Sequence, residues 1–425
     1  MIGSLALVGM DRWTESQIGQ VLAAVDRQEL GLNATPHGST LGWPTTQKNK
    51  NKSGEELMST VGKQVFTTLE SDGTLTVEVA ETTFPEPKGA QVLVRMEAAP
   101  INPSDLALLF SAADLENAHY SPGKIVAKMP EPFLSGSKGR HGQRMPVGNE
   151  GAGTVVVAGD DPAAQALVGQ RVACVPGNAF SQYSIAEAGM CLPLGDISSE
   201  DGASAFVNPM TALGFVETAK MEGHKAILHF AAASNLGQML NRICLEDGMA
   251  LVNVVRKQEQ VDLLKGLGAK HIVNTSDDDF MAQLRSAIDE TGAYLGFDPI
   301  GGGTSVDTAF KAMEQVAVGK MKEFSRYGSD QAKKMYIYGR LDVGPTILTP
   351  SYGFGFTLSG WLLFPFLQKA GVETMARMRK RVLDNLTSTF ASHYKQKVTL
   401  EQMLEKDAAI DYRAMRTGEK YLVTP

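Results

Sequence analysis

The sequence predicts an α/β chain of two domains, a β-rich one followed by a doubly wound one. Three observations predict it. The 425 residues exceed what one ordinary core organises. From about residue 62 to about 193, runs such as KQVFTTL, LTVEVAETTF, AQVLVRMEAA, EGAGTVVVAG and GQRVACV place β-branched and aromatic residues at strand-like spacing. After NPMTALGFVETA the rhythm changes to regular strand–helix alternation, which implies a parallel sheet with right-handed crossovers.

Residues 1–61 read as an extension. Residues 12–32 have the pattern of one amphipathic helix, and GLNATPHGSTLGWPTTQKNKNKSGEE then reads as a polar linker. The opening MIGSLALVGMDRW carries a short apolar run with Asp11 and Glu15 close behind. A signal peptide needs a basic start and a longer apolar stretch, and a mitochondrial presequence avoids acids. A cytoplasmic location is expected, with a mitochondrial one as the weaker alternative. Residues 62–208 form the β-rich domain, with 372–425 returning to it, and residues 209–371 form the alternating domain. There AILHF precedes a helix with Leu236, Met239, Leu240, Ile243 and Cys244 on one face. ALVNVV precedes QEQVDLLKGLGA, HIVN precedes DFMAQLRSAIDE, AYLGFD precedes TSVDTAFKAM, and KKMYIYG follows. The segment MARMRKRVLDNL and the late EKYLV break the alternation.

Composition excludes several classes. A net charge of −7 with pI near 5.6 and no basic stripe argues against a nucleic-acid partner. No apolar run approaches a membrane span. The three cysteines, Cys174, Cys191 and Cys244, are odd in number and far apart, so no disulfide framework or four-thiolate zinc site is expected. His224 and His229 flank a strand start without ligand spacing, and no metal is expected.

One stretch carries chemistry. In FAAASNLGQM a turn leads from strand to helix, where a dinucleotide-binding chain puts its glycines. Here the pattern is Ala232-x-Ser234-x-x-Gly237, and every substituted place is small. Ala233, Ser234, Asn235, Leu236 and Gly237 are therefore candidates to cradle a diphosphate at a helix start. An ordinary strand–loop–helix is the other reading. The next strand, ALVNVV, ends in Arg256 and Lys257, where an NAD-binding chain places an acid. A guanidinium attracts a 2′-phosphate, so the implied cofactor is NADPH. A solvated Arg–Lys pair at a helix start is the alternative.

AAPINPSDLALL, VGNEGAGTVVVAG, GQRVACV, NPMTALG, the Ala-Ala-Ser turn, NVVRK, LGAKHIVN, GFDPIGG and KMYIYGRL occur in order over roughly residues 62–425. Together they resemble the medium-chain dehydrogenase/reductase superfamily, in its zinc-independent quinone oxidoreductase and 2-enoyl thioester reductase branch. The resemblance implies a GroES-like catalytic domain and a Rossmann domain. Zinc-dependent members carry ligands where this chain has Asn102, Asn149 and, near the third place, Asn208, and neutral amides are poor zinc ligands. It further implies that Asn102 and Thr211 lie near the nicotinamide. Gly301 would line the cofactor beyond the fourth strand and Tyr338–Gly339 beyond the fifth, with Gly360–Trp361 holding the carboxamide through backbone.

The implied reaction is NADPH-dependent reduction of a carbon–carbon double bond conjugated to a carbonyl, in a small-molecule electrophile or acyl thioester. Quinone reduction is the second reading. A silent coenzyme-binding structural or regulatory protein is the third. Enoyl reductases of this branch carry a Tyr soon after the NPSD segment, but here the first is Tyr120. It is either a displaced acid or a surface residue of a long loop, 111–145. Arg140, in the basic SGSKGRHGQR of that loop, is a candidate for substrate phosphates, or simply solvated. Phe110 and Phe354 are candidates for an apolar substrate wall, or core. A homodimer through edge strands of the nucleotide domains is expected.

Overall fold

A computed structural model describes residues 46–50, 56–418 and 420–425. The helix expected over 12–32 lies outside them. The chain divides into two compact units. The first holds the described residues up to 207, with 371–386 and 392–425, and the second holds 208–370 with 387–391.

The first unit is built on two sheets. In one, Thr46–Lys50, Glu56–Leu69, Thr74–Phe84, Lys124–Lys128 and Asp114–Ser121 lie side by side in that order, with Arg144–Pro146 also paired to Glu56–Leu69. In the other, the order is Leu192–Pro193, Arg171–Cys174, Gly151–Ala158, Gln91–Pro100, Tyr421–Val423 and Gln396–Val398, with Tyr183–Glu187 also on Gln91–Pro100. Their apolar side chains, among them Val65, Leu75 and Val92, form one buried cluster with Phe110 and Phe180 from the connecting segments.

Two expectations are corrected here. Part of the polar linker is strand: Thr46–Lys50 pairs antiparallel with the start of Glu56–Leu69. Its pairing is made by backbone at a sheet edge, where polar residues suffice and the apolar signal is weak. The loop over 111–145 is a hairpin, Asp114–Ser121 against Lys124–Lys128, followed by the short helical segments Glu131–Leu134 and Ser135–Arg140. The turn is Pro122–Gly123, with Gly123 at φ 66°, as a type II turn needs.

The second unit is a six-stranded parallel sheet. Its strands are β1 (Ala226–Phe230), β2 (Ala250–Val255), β3 (His271–Asn274), β4 (Leu295–Asp298), β5 (Lys333–Ile337) and β6 (Phe356–Gly360). The spatial order is β3-β2-β1-β4-β5-β6, with every pairing parallel. This is the doubly wound order, which reverses between β1 and β4. β1 is buried at all five positions and β4 at all four, as a sheet covered on both faces requires. The crossing helices are α1 (Asn235–Asp247), α2 (Gln258–Gly266), α3 (Phe280–Thr291) and α4 (Ser305–Gly319). α1 ends on Gly248 at φ 67°, a left-handed cap.

A buried ion pair ties the amino end of β5 to α4. Lys333 Nζ lies 2.6 Å from Glu314 Oε2 and also donates to Ser329 Oγ and Gln331 O. Glu314 accepts from the Ser329 amide as well, so both charges are satisfied where water does not reach. No helix among the described residues is long and apolar enough to cross a membrane.

Candidate functional site

Five strands of the second unit bring their carboxyl ends to one edge of the sheet. That edge carries Ala231–Gly237 after β1, Arg256–Lys257 after β2, Gly301 beyond β4, Tyr338–Gly339 after β5 and Gly360–Trp361 at the end of β6. In open α/β sheets ligands settle outside this edge, at the switch in strand order.

The turn after β1 is glycine-poor and strained. Ala231 takes φ 50°, the left-handed region, which costs an alanine about 1–2 kcal/mol. The sharp bend thus falls one residue before Ala232, the first place in the sequence pattern. Ala232 N–H donates to Val254 O (3.2 Å) and Ser234 N–H to Ala231 O (3.0 Å), which fix the turn against β2 and itself. Ser234 caps α1, its Oγ accepting from Gly237 N at 3.1 Å. Gln238 Nε2 donates to Ala233 O (2.9 Å). Gly237 packs so closely that a Cβ there would overlap Ala232 O and stand 2.6 Å from its carbonyl carbon. This is the close helix–strand approach that the third glycine of a dinucleotide turn permits. The first-turn amides of α1 face the edge, a positive terminus suited to an anion.

Beyond β2, Arg256 and Lys257 are exposed. Arg256 is anchored through its main chain: its N–H donates to Gln260 Oε1 (3.1 Å) and its carbonyl accepts from Ser276 Oγ (2.8 Å). The side chain leaves that anchored backbone into solvent. No carboxylate occupies the end of β2.

The loops after β4 and β5 meet main chain on main chain. Asp298, buried at the end of β4, accepts from the amides of Ile300 (2.9 Å) and Gly301 (3.1 Å) and from Ser305 Oγ (2.9 Å). Burial raises its pKa, and those donors pull it back. A Cβ on Gly301 would stand 2.7 Å from Gly339 O, and one on Gly339 would stand 2.6 Å from Pro299 O. Only glycine fits at either place.

Tyr338 turns its ring back over the sheet. Its hydroxyl lies 2.7 Å from His229 Nε2, and the two rings stack at 16°. His229 is 0% exposed, within the otherwise apolar β1. Burial drives its pKa down to about 3, so the imidazole is neutral. Trp361 is a core residue: its ring lies against Gly214 and Phe215, its Nε1–H donates to Thr218 Oγ1 (3.1 Å), and its main-chain N–H donates to Ile337 O. Thr211 is buried on the Val207–Met221 helix.

The first unit holds the remaining candidates. Asn102, buried ahead of the Pro103–Leu109 helix, donates through Nδ2 to Glu150 Oε1 (2.9 Å) and through its main-chain N–H to Asp105 Oδ2 (2.8 Å). Glu150 Oε2 accepts the Phe206 and Val207 amides. Burial pushes Asp105 up to about 7 and raises Glu150. Burial pushes Lys420, which donates to Ser204 Oγ, down to about 8, against the attraction of Glu150 and Asp105. Asn149 Nδ2 donates to Ser104 Oγ. Among the described residues no three His, Cys, Asp or Glu side chains are arranged to hold a metal ion.

Tyr120 lies on the Asp114–Ser121 strand, where its hydroxyl donates to Leu115 O at 2.8 Å. Phe110 is fully buried and stacked on Tyr412. Arg140 donates to Thr67 Oγ1 and to Leu108 O, near the last turn of the Pro103–Leu109 helix. Phe354 is 80% exposed and precedes β6, at the amino end of the sheet. There it joins Glu222, His224, Lys334 and Thr357 around an open cleft of about 580 Å³.

The alcohol dehydrogenase GroES-like domain family matches residues 88–205. A solved structure from Mesorhizobium loti, assigned as an NADPH:quinone reductase, superposes with a TM-score of 0.66 at 26% identity, covering 86% of this chain and 98% of that one. The chain belongs to the medium-chain dehydrogenase/reductase superfamily. It falls in the zinc-independent branch. Mouse prostaglandin reductase-3 (Mus musculus) is 23% identical over 218 residues, 51% of each chain. Bovine (Bos taurus) mitochondrial enoyl-[acyl-carrier-protein] reductase is 27% identical over 196 residues, 44% of this chain and 46% of its own. The matched stretch thus spans about half the length of these curated relatives. Sequence reasoning missed two of the residues that build this edge: Ala231 and His229. The lone histidine inside AILHF was the available signal for the last.

Proposed function

We propose that the chain is an NADPH-dependent oxidoreductase that reduces a carbon–carbon double bond conjugated to a carbonyl. The observation that carries this reading is the pairing of two features on one sheet edge. Gly237 lets a capped helix start lie close on β1, and a free-standing cation follows β2 where an acid would repel a 2′-phosphate. In this reading the first turn of α1 binds the diphosphate and Arg256, with Lys257 beside it, holds the 2′-phosphate. Gly301 and Gly339 let the loops after β4 and β5 close main chain on main chain beside the coenzyme, and Gly360 with the Trp361 main-chain carbonyl meets the carboxamide. Thr211, on the Val207–Met221 helix, orients the nicotinamide.

When bound, NADPH supplies hydride to the electrophilic β-carbon. The protein's work is then to hold the carbonyl, stabilise developing enolate charge and allow protonation at the α-carbon. The Tyr120 proton is already given to Leu115 O, so water is taken as its source. Both the prostaglandin and enoyl-acyl-carrier reductase relatives are named for reductase activity, which supports a double-bond substrate. Quinone reduction is a second reading, favoured by the 26% likeness to the Mesorhizobium loti protein.

The partner is a small-molecule electrophile or acyl thioester, and the chain pairs as a homodimer through β6, the last strand of its sheet among the described residues. Light scattering that finds only monomer removes the dimer. Loss of absorbance at the reduced-nicotinamide band, followed with crotonyl-CoA, an alkenal and a quinone in parallel and with each coenzyme, tests the reaction. Turnover with NADPH and an enoyl or enone substrate is expected. Turnover with the quinone alone would replace the first reading by the second.

A further inference from the structure

The His229–Tyr338 pair holds one proton more than its shared hydrogen bond uses. Neutral His229 carries one N–H and Tyr338 carries one O–H, but only one of them lies between Nε2 and the phenol oxygen at 2.7 Å. If Tyr338 donated, the imidazole proton would sit on Nδ1. That nitrogen is buried with no hydrogen-bond partner in the protein. A buried N–H without an acceptor is the rarer and costlier defect, whereas a bare acceptor nitrogen is tolerated more often. The rings of Phe215 and Tyr338 stand near the imidazole and offer it no polar group. The favoured arrangement therefore puts the proton on Nε2, with His229 donating to the phenol oxygen. The hydroxyl proton of Tyr338 is then left to point away.

Where it points follows from the fold. Tyr338 is the first residue beyond β5 and His229 the penultimate residue of β1, on either side of β4. Both lie at the carboxyl edge, beside the loop that Asp298 holds. Tyr338 is half-buried, whereas His229 behind it is sealed. A sealed histidine in the centre of a parallel sheet contributes nothing apolar that leucine would not contribute better. Its use is to fix the polarity of the group in front.

We propose that His229 Nε2–H donates to Tyr338, and that Tyr338 thereby presents its hydroxyl as a donor to an oxygen acceptor of the bound coenzyme. This rests on the coenzyme reading above and deepens it. Tyr338 is the binding residue and His229 the positioning residue.

Two measurements test it. In wild-type protein labelled with ¹⁵N-histidine, NMR distinguishes a protonated from a bare ring nitrogen, and the His229→Gln spectrum identifies the signals. Protonated Nε2 with bare Nδ1 is expected, and protonated Nδ1 overturns the proposal whatever the protein binds. Fluorescence titration with NADPH then compares wild type, Tyr338→Phe, His229→Leu and His229→Gln. Tyr338→Phe should weaken binding about fivefold to tenfold, as loss of one neutral hydrogen bond implies. His229→Leu should do the same, and His229→Gln, which keeps a donor, should recover most of the affinity. A structural role alone would not give that recovery. If Tyr338→Phe binds as wild type does, the donor role is wrong. If wild type itself does not bind NADPH, the coenzyme reading fails, and the NMR result still decides the tautomer.

Discussion

Replacing Gly237 by Ala tests the contact on which the crest is built. The added Cβ would lie 2.6 Å from the Ala232 carbonyl carbon and 2.8 Å from its Cα, and it would overlap the oxygen. Ordinary contact begins at 3.4 Å, so the shortfall at the carbonyl carbon is 3.4 less 2.6, about 0.8 Å. Every blocking atom is backbone, in a turn already tied to β2, so no side chain can swing aside. Overpacking of this kind costs about 3 kcal/mol. Exchanging Gly for Ala inside a helix returns up to about 1 kcal/mol. The net is a loss of about 2 kcal/mol. With a urea m-value of about 2 kcal/mol/M, the midpoint should fall by about 1 M. Trp361 reports on this unit, so the measurement uses its fluorescence in a Trp13→Phe, Trp43→Phe background. NADPH affinity should fall as well, because α1 must move off β1 and takes its first-turn amides with it. An unchanged or higher midpoint at the same m-value would refute the reasoning.

Other expectations follow from single features. Ala231→Gly removes the left-handed penalty, part of which returns as unfolded-chain entropy, and should raise stability by about 0.5–1 kcal/mol in the same unfolding experiment. Arg256→Asp should weaken NADPH by tenfold or more while leaving NADH nearly unchanged; equal effects on both coenzymes would remove the 2′-phosphate assignment. Lys333→Met strands the Glu314 carboxylate and should cost about 3–5 kcal/mol by calorimetry, and Glu314→Leu with Lys333→Met should regain most of it. His229 has its folded pKa depressed to about 3, so its contribution to stability is present above about 6.5 and is lost as pH falls toward 3. In that window the unfolded chain binds the extra proton. The slope should therefore be about 1.4 kcal/mol per pH unit, and His229→Gln should remove it.

The parallel sheet was legible because its strands are short apolar runs between helices with one apolar face, as Leu236, Met239, Leu240, Ile243 and Cys244 show in α1. Gly237 was legible because its spacing is dictated by helix packing rather than by side-chain chemistry. Ala231 was not, since alanine gives no sign of a left-handed turn; the strain becomes visible only with the backbone. The hairpin over Asp114–Lys128 was missed because DLENAHYS places one fully buried side chain, Leu115, among polar ones, although Ser121-Pro122-Gly123 carried its turn signal. The charged cluster of Asp105, Glu150 and Lys420 was equally invisible. Its members are far apart in sequence and meet only when Tyr421–Val423 pairs with Gln91–Pro100.

The seam between Gly301 and Gly339 limits how this crevice can be remodelled. Two peptide backbones abut there without intervening side chains, so any substituent at either position pries the floor open instead of reshaping it. Gly360 differs, because its nearest neighbour would be Ile337 O at 4.0 Å. A redesign aimed at a different coenzyme or a bulkier electrophile has room to begin at Gly360, with the seam left as the fixed datum.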